Sequence, residues 1–319
     1  MPGNQGAFSQ WYKPQVLYIS ASQHGLVSEV VERLSRRGWS VALFTPSVTE
    51  AFQALEAGQA SVLLIEDSED LPAGHVLRAQ LSHPVALLTP TLVACSERLP
   101  ERALLKEMGN PEIIDSPINP MKFIESLEWL IRRWSTGHQA NALEVQKLLV
   151  AGDRDQAVEQ LTRLANAKEL ATIVAPCMAR FLRHKSEAKA LEKILLTAIR
   201  ENPRNVGVIL ATIDFYLHVA MPSTALKIIN ATKKNHGNPA MLIPEHIQAL
   251  VMLNEIDQCI PLLEELLRQH YLPEIVQRFL SRCHFAEGHT EEFLASVENK
   301  KDSIHNYNVV WQRKTGESA

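Results

Sequence analysis

Between Gly152 and Phe293 the sequence repeats one pattern: a polar turn, then an amphipathic stretch with a small residue near its start. Gly152-Asp-Arg-Asp-Gln-Ala157-Val-Glu-Gln-Leu161 is echoed by His184-Lys-Ser-Glu-Ala-Lys-Ala190-Leu, by Met221-Pro-Ser-Thr-Ala225-Leu, by Asn254-Glu-Ile-Asp-Gln-Cys259-Ile and by Gly288-His-Thr-Glu-Glu-Phe293-Leu. The marker positions Ala157, Ala190, Ala225, Cys259 and Phe293 follow one another at intervals of 33, 35, 34 and 34 residues. That is the period of a helix-turn-helix unit, which cannot bury its apolar face alone and is stabilised by stacking on its neighbours. A small side chain at the start of a second helix allows close packing against the first. Asp153, Ser186, Ser223 and Asp257 stand where capping oxygens are needed. Asn202-Pro203 and Asn238-Pro239 punctuate helix ends.

Over residues 142–297 this array resembles tetratricopeptide (TPR) repeats, although the family's early Trp and its Tyr-Gly features are largely missing. The resemblance implies an α-α superhelix whose groove takes a peptide or helix from another protein. Arg180, Arg183, His184, Asn205, Asp214 and His218 are the polar candidates for that groove, and the sequence leaves open which of them face it.

The first 135 residues read differently. Short apolar runs at Val16–Ile19, Val41–Phe44, Val62–Ile65, Val85–Leu88 and Ile113–Ile114 alternate with helical patterns at Leu26–Leu34, Val48–Leu55 and Met121–Trp134. Runs with no polar face suit strands covered on both sides. Five of them alternating with helices predict a doubly wound parallel sheet. The fold class expected for the whole chain is therefore α/β plus all-α. Such sheets place their sites beyond the carboxyl ends of the strands, here Ser20-Ala21, Phe44-Thr45, Glu66-Asp67, Thr89-Pro90 and Ser116-Pro117.

At those positions the chain resembles the receiver domain of two-component response regulators, over residues 14–134. The resemblance rests on the strand order, on the apolar run before Glu66, on the run ending at Thr89, and on Ser116-Pro117 before a helix. It implies a phosphoryl-transfer pocket with an acidic pair that binds magnesium, an acceptor aspartate, a hydroxyl sensor and a lysine before a proline. Here the acidic pair falls on Ser20 and Ala21, the acceptor on Glu66 or Asp67, the sensor on Thr89 and the lysine on Ser116. Only Thr89 and Pro117 match. Magnesium needs carboxylate oxygens, and phosphoryl transfer needs a cation at the developing charge. The resemblance thus implies a receiver without its chemistry. Trp129 and Trp134 read as packing residues, or as a partner anchor if exposed.

Nothing else in the chain suggests catalysis. It has no phosphate-cradling Gly-rich loop, no Gly-x-Ser-x-Gly elbow and no His-Glu-x-x-His. Cys95, Cys177, Cys259 and Cys283 are too far apart for a paired-ligand motif and read as reduced thiols. A net charge of -4 gives no general attraction to nucleic acid or anionic lipid. The start, Met1 to Trp11, lacks the pattern of a secretory signal. The expected division is a tail over 1–13, a pseudo-receiver over 14–135, repeats over 136–298 and a cap with tail over 299–319. The expected protein is cytoplasmic, has no cofactor and no metal, and is not an enzyme. It is a bacterial signalling adaptor that binds protein partners, with a histidine kinase, another receiver or a second copy as candidates for the first domain. Three alternatives stand beside it. They are an inhibitor competing for a kinase, a regulator phosphorylated at Glu66 or Asp67, and a structural part of a surface or secretion assembly.

Overall fold

Runs such as Val-Leu-Leu-Ile and Thr-Leu-Val-Ala-Cys have no polar alternation because both faces of their sheet are covered. In the computed structural model they form five parallel strands, β1 (Gln15–Ile19), β2 (Ser40–Thr45), β3 (Val62–Glu66), β4 (Thr91–Cys95) and β5 (Glu112–Asp115), in the order β2-β1-β3-β4-β5. This is a doubly wound order also found in flavodoxin-like folds. The register sets Ile19 beside Ile65 and Glu66 beside Ala94, with one irregularity between Val16 and Leu17. The structure describes residues 15–21, 26–97, 102–109, 111–136, 138–165, 167, 170–181, 188–236, 240–268, 273–289 and 291. The expected tails at 1–13 and 299–319, and Phe293, lie outside the described residues.

The helices are α1 (Leu26–Arg36), α2 (Val48–Glu56), α3 (Ala73–Gln80), α4 (Pro84–Leu87), α5 (Arg102–Lys106) and α6 (Pro120–Thr136) around the sheet. They are followed by α7 (Gln139–Val150), α8 (Arg154–Leu164), α9 (Ala171–Phe181), α10 (Ala188–Glu201), α11 (Val206–His218), α12 (Pro222–His236), α13 (Ile243–Met252), α14 (Cys259–Arg268) and α15 (Pro273–Ala286). The chain divides into two compact units, Met1–Phe215 and Tyr216–Ala319, with the boundary inside α11.

In the first unit α4 packs on α7 and α9, and α2 packs on α7. The eight residues Ala171 to Met178 of α9 are all buried, because the sheet's helical layer covers a face that a surface helix would leave polar. α11 starts against the same layer. The Gly207 N–H donates to the Glu107 carbonyl at 3.3 Å, and a β-carbon on Gly207 would lie 3.1 Å from a Leu81 methyl. In the second unit Ile243, Ile247, Leu250, Cys259, Leu263, Leu266, Val276, Leu280 and Cys283 form one buried cluster across α13, α14 and α15.

Two expectations need correction. Val85–Leu88 is not the fourth strand. Pro84 occupies a first helical turn with its fixed φ, and α4 follows. Four apolar residues buried on all sides cannot be told from a strand by periodicity, and the strand is the next run, Thr91–Cys95. Ala190, in turn, is exposed, while Leu191 beside it is 1% exposed. With Leu191 in place, the buried positions Ala157, Leu191, Ala225 and Cys259 recur every 34 residues, and so do Leu161, Leu195, Ile229 and Leu263.

Candidate functional site

The carboxyl ends of β1 and β3 lie side by side, so alternate residues of both strands meet on one face of the sheet. Tyr18 and Ser20 are two apart on β1 and its continuation, and both reach Glu66. The Tyr18 phenol donates to Glu66 Oε2 at 2.5 Å and the Ser20 hydroxyl donates to the same oxygen at 2.7 Å. Burial pushes the Tyr18 phenol up from its ordinary value, and the hydrogen bond to Glu66 and that residue's charge push in the same direction. The phenol is therefore a fixed donor. Tyr18 was not among the sequence-derived candidates, although its place two residues before Ser20 on the same strand face was the signal for it.

Asp67 turns the other way. Its N–H continues the ladder to the Ala94 carbonyl, and its Oδ1 accepts from the Ala73 N–H at 2.8 Å at the start of α3. The two acidic residues therefore have separate tasks. Glu66 rests on the β1 hydroxyls, and Asp67 caps a helix. Ala21 is exposed and offers no side-chain oxygen. These donors do not fit a magnesium ion of the receiver kind, since Ser20 donates its proton to Glu66 and the second position has no ligand.

At the ends of β4 and β5, Ser116 donates its N–H to the Cys95 carbonyl at 2.9 Å, and the Ser116-Pro117 peptide is cis. A cation nearby is Arg102, at the first position of α5. It donates to the Cys95 carbonyl at 3.1 Å and to Asp115 at 2.7 Å. Burial is the main cause of the upward shift of the Cys95 thiol, opposed by the Arg102 charge. Arg102 follows no motif; only the fold brings it to β5. The residue that follows β4 is Ser96, which sequence reasoning passed over because it placed the strand one run too early.

Thr89 therefore stands at the wrong end of β4 to sense anything at Glu66. It is buried in a chain of polar groups that joins the sheet layer to the helices. The Thr89 hydroxyl donates to the Val85 carbonyl at 2.8 Å and accepts from the Gln146 amide at 2.6 Å. The Thr91 hydroxyl donates to the Thr89 carbonyl at 2.9 Å and accepts from Gln80 at 2.8 Å. Buried polar groups persist only when paired in this way.

Among the repeat positions Ala157, Ala225 and Cys259 are fully buried, and Ala190 is not. Asn205 is also buried, its side-chain oxygen accepting from the Val208 N–H at 3.0 Å as the cap of α11. Asp214 pairs with Arg180 at 2.8 Å, and Arg180 also donates to the Leu81 carbonyl at 3.2 Å. Asn205, Asp214 and Arg180 are thus each engaged within the chain, while His218 is exposed. Arg183 and His184 lie outside the described residues. A groove of about 320 Å³ runs between α8, α9 and α10, lined by Ala and Thr side chains with Lys193 and Glu201. The four cysteines are buried free thiols. Cys259 and Cys283 are hydrogen-bonded to each other, which with burial pushes the Cys259 thiol up. Among the described residues no group of three or more His, Cys, Asp or Glu is arranged to hold a metal, and no helix is long and apolar enough to cross a membrane. The chain matches no family model and no curated protein.

Proposed function

We propose that this chain is a non-enzymatic, cytoplasmic signalling adaptor of a bacterial regulatory or motility pathway. It would bind a partner protein through a tetratricopeptide-like helical array (residues 136–298) and carry a phosphorylation-inactive, receiver-like layer (residues 14–135) as a docking module. One observation carries the inactive part of this reading. The carboxylate beyond β3, Glu66, is held by the hydroxyls of Tyr18 and Ser20, where a phosphoryl acceptor would need metal and cation. Two donated hydrogen bonds stabilise a carboxylate and weaken it as a nucleophile. Arg102, the cation by β4 and β5, is engaged by Asp115. The array reading draws on the 34-residue recurrence of buried positions and on the groove beside Lys193.

The test uses the full-length chain in two assays. Incubation with a small phosphoryl donor and magnesium is expected to leave the mass unchanged. Stoichiometric phosphorylation at Glu66 or Asp67 would replace the adaptor by a working regulator. Affinity capture from native lysate is expected to retain one protein partner that the groove variant Lys193→Glu releases. Capture of a kinase that this variant keeps would favour the inhibitory alternative.

A further inference from the structure

The two helical layers of the sheet are used unequally. Right-handed crossovers in the order β2-β1-β3-β4-β5 put α1 on one face and the helices after β2, β3 and β4 on the other. The second layer is taken up by the array, since α2 and α4 pack on α7, and α4 packs on α9. α6 packs beside α1 on the first layer. Its outer side carries Met121, 53% exposed, and Trp129, 48% exposed, the only large apolar side chains in the sheet part that the described residues leave so open.

At 3.6 residues per turn Met121, Glu125, Trp129, Arg132 and Thr136 fall on one stripe, and all five are exposed. Their neighbours are held in place. Glu128 is paired with Arg37, the Arg133 guanidinium lies 5.2 Å from the Trp129 ring centre, and Arg33 reaches the Met121 sulfur at 3.1 Å. Glu125 and Arg132 are in no ion pair among the described residues. An apolar anchor is thus presented on a steadied frame, with one free carboxylate and one free guanidinium on either side.

The stripe is complementary to itself. If two copies of α6 run antiparallel about an axis midway between residues 128 and 129, Glu125 comes opposite Arg132 of the second copy, and Arg132 opposite its Glu125. The two Trp129 rings then meet within a turn of the axis, and Met121 faces Thr136. A two-fold interface uses the same patch twice, so this charge order is matched by symmetry in a second copy and only by coincidence in an unrelated helix. We infer that the exposed face of α6 is a self-association surface, on which a second copy of this chain docks antiparallel around Trp129. A single-helix face sits at the low end of specific interfaces, roughly 1,200 Å² of total buried area or less, so the dimer forms and dissociates with concentration.

The inference stands apart from the adaptor reading, because no other partner is present when it is measured. Sedimentation velocity of the full-length chain over a wide concentration range is expected to show a monomer passing into a dimer. Trp129→Glu, Glu125→Arg and Arg132→Glu are each expected to weaken the dimer about tenfold or more, since like charges then face each other. An equal mixture of the Glu125→Arg and Arg132→Glu proteins is expected to recover it, each copy supplying the sign the other lacks. Circular dichroism melts matching the parent chain show that these exposed variants are folded. A chain that stays monomeric at the highest soluble concentration overturns the proposal. So does a dimer that the single variants leave intact, or one that the mixture fails to restore.

Discussion

Gln146 donates to the Thr89 hydroxyl at 2.6 Å in a space closed to water, so the pair has a defined energetic signature. Thr89→Val removes the nearer acceptor of the buried Gln146 amide and leaves only the Val85 carbonyl at 3.5 Å, at a cost of about 1–3 kcal/mol. Removing both partners costs less than the sum of the single losses, so urea melts of Thr89→Val, Gln146→Leu and the double variant are expected to give a coupling of roughly 0.5–3 kcal/mol. Additive losses would show that the contact is not made. Tyr18 gives a second signature, in pH. Its phenol is held neutral in the folded chain, raised above the ordinary value of 10.0. Below pH 10 folded and unfolded chains both keep this proton, and the stabilisation is complete. Above pH 10 the unfolded chain releases it first, so stability falls as pH rises, by up to about 1.4 kcal/mol per pH unit. Denaturation midpoints between pH 8 and 11 are expected to show this fall in the parent chain and a smaller one in Tyr18→Phe.

Among the elements, the second helices of the array show how a repeat can be seen and still be placed one residue off. α8, α12 and α14 bury Ala157, Ala225 and Cys259, each followed four residues on by Leu161, Ile229 and Leu263. In α10 the pair that meets this pattern is Leu191 and Leu195, while Ala190 faces outward. The preference for small residues pointed to Ala190, but burial follows the helical period, and a leucine fits where the facing helix leaves room. Leu191→Ala is therefore expected to destabilise by about 2–5 kcal/mol, and Ala190→Ser by no more than about 0.5 kcal/mol. Thermal melts of the two variants separate the registers. α4 was misread for a related reason. Its four apolar residues are all covered, and a helix there rests on Pro84 in its first turn and on packing against α2, α7 and α9.

Across the whole chain, the division at residue 135 suggested by the change from strands to helices is not where the compact units part. The unit that holds the sheet runs to Phe215, and within its layer α2 is covered by α7, and α4 by α7 and α9. A chain ending at residue 135 would expose Val85, Leu87, Leu88 and the Thr89 hydroxyl, all buried in the full chain. Burying such apolar side chains contributes about 1.5–3 kcal/mol each. The piece 1–215 is expected to unfold cooperatively in urea, and the piece 1–135 to bind a hydrophobic dye and melt without a sharp transition. A sharp transition in the shorter piece would restore the sequence-based boundary. The sequence by itself determined what local periodicity can encode: a parallel sheet of five short strands, an array with a 34-residue beat, and strand ends without a metal-binding acidic pair or a lysine. Tertiary structure decided which apolar run became β4, that Glu66 rests on Tyr18 and Ser20 while Asp67 caps α3, that Arg102 reaches Asp115, and that Thr89 joins two layers. Apart from the Asp67 cap, these depend on groups distant in the chain being brought together, and hydrophobic periodicity says which side of an element is buried, never what it is buried against.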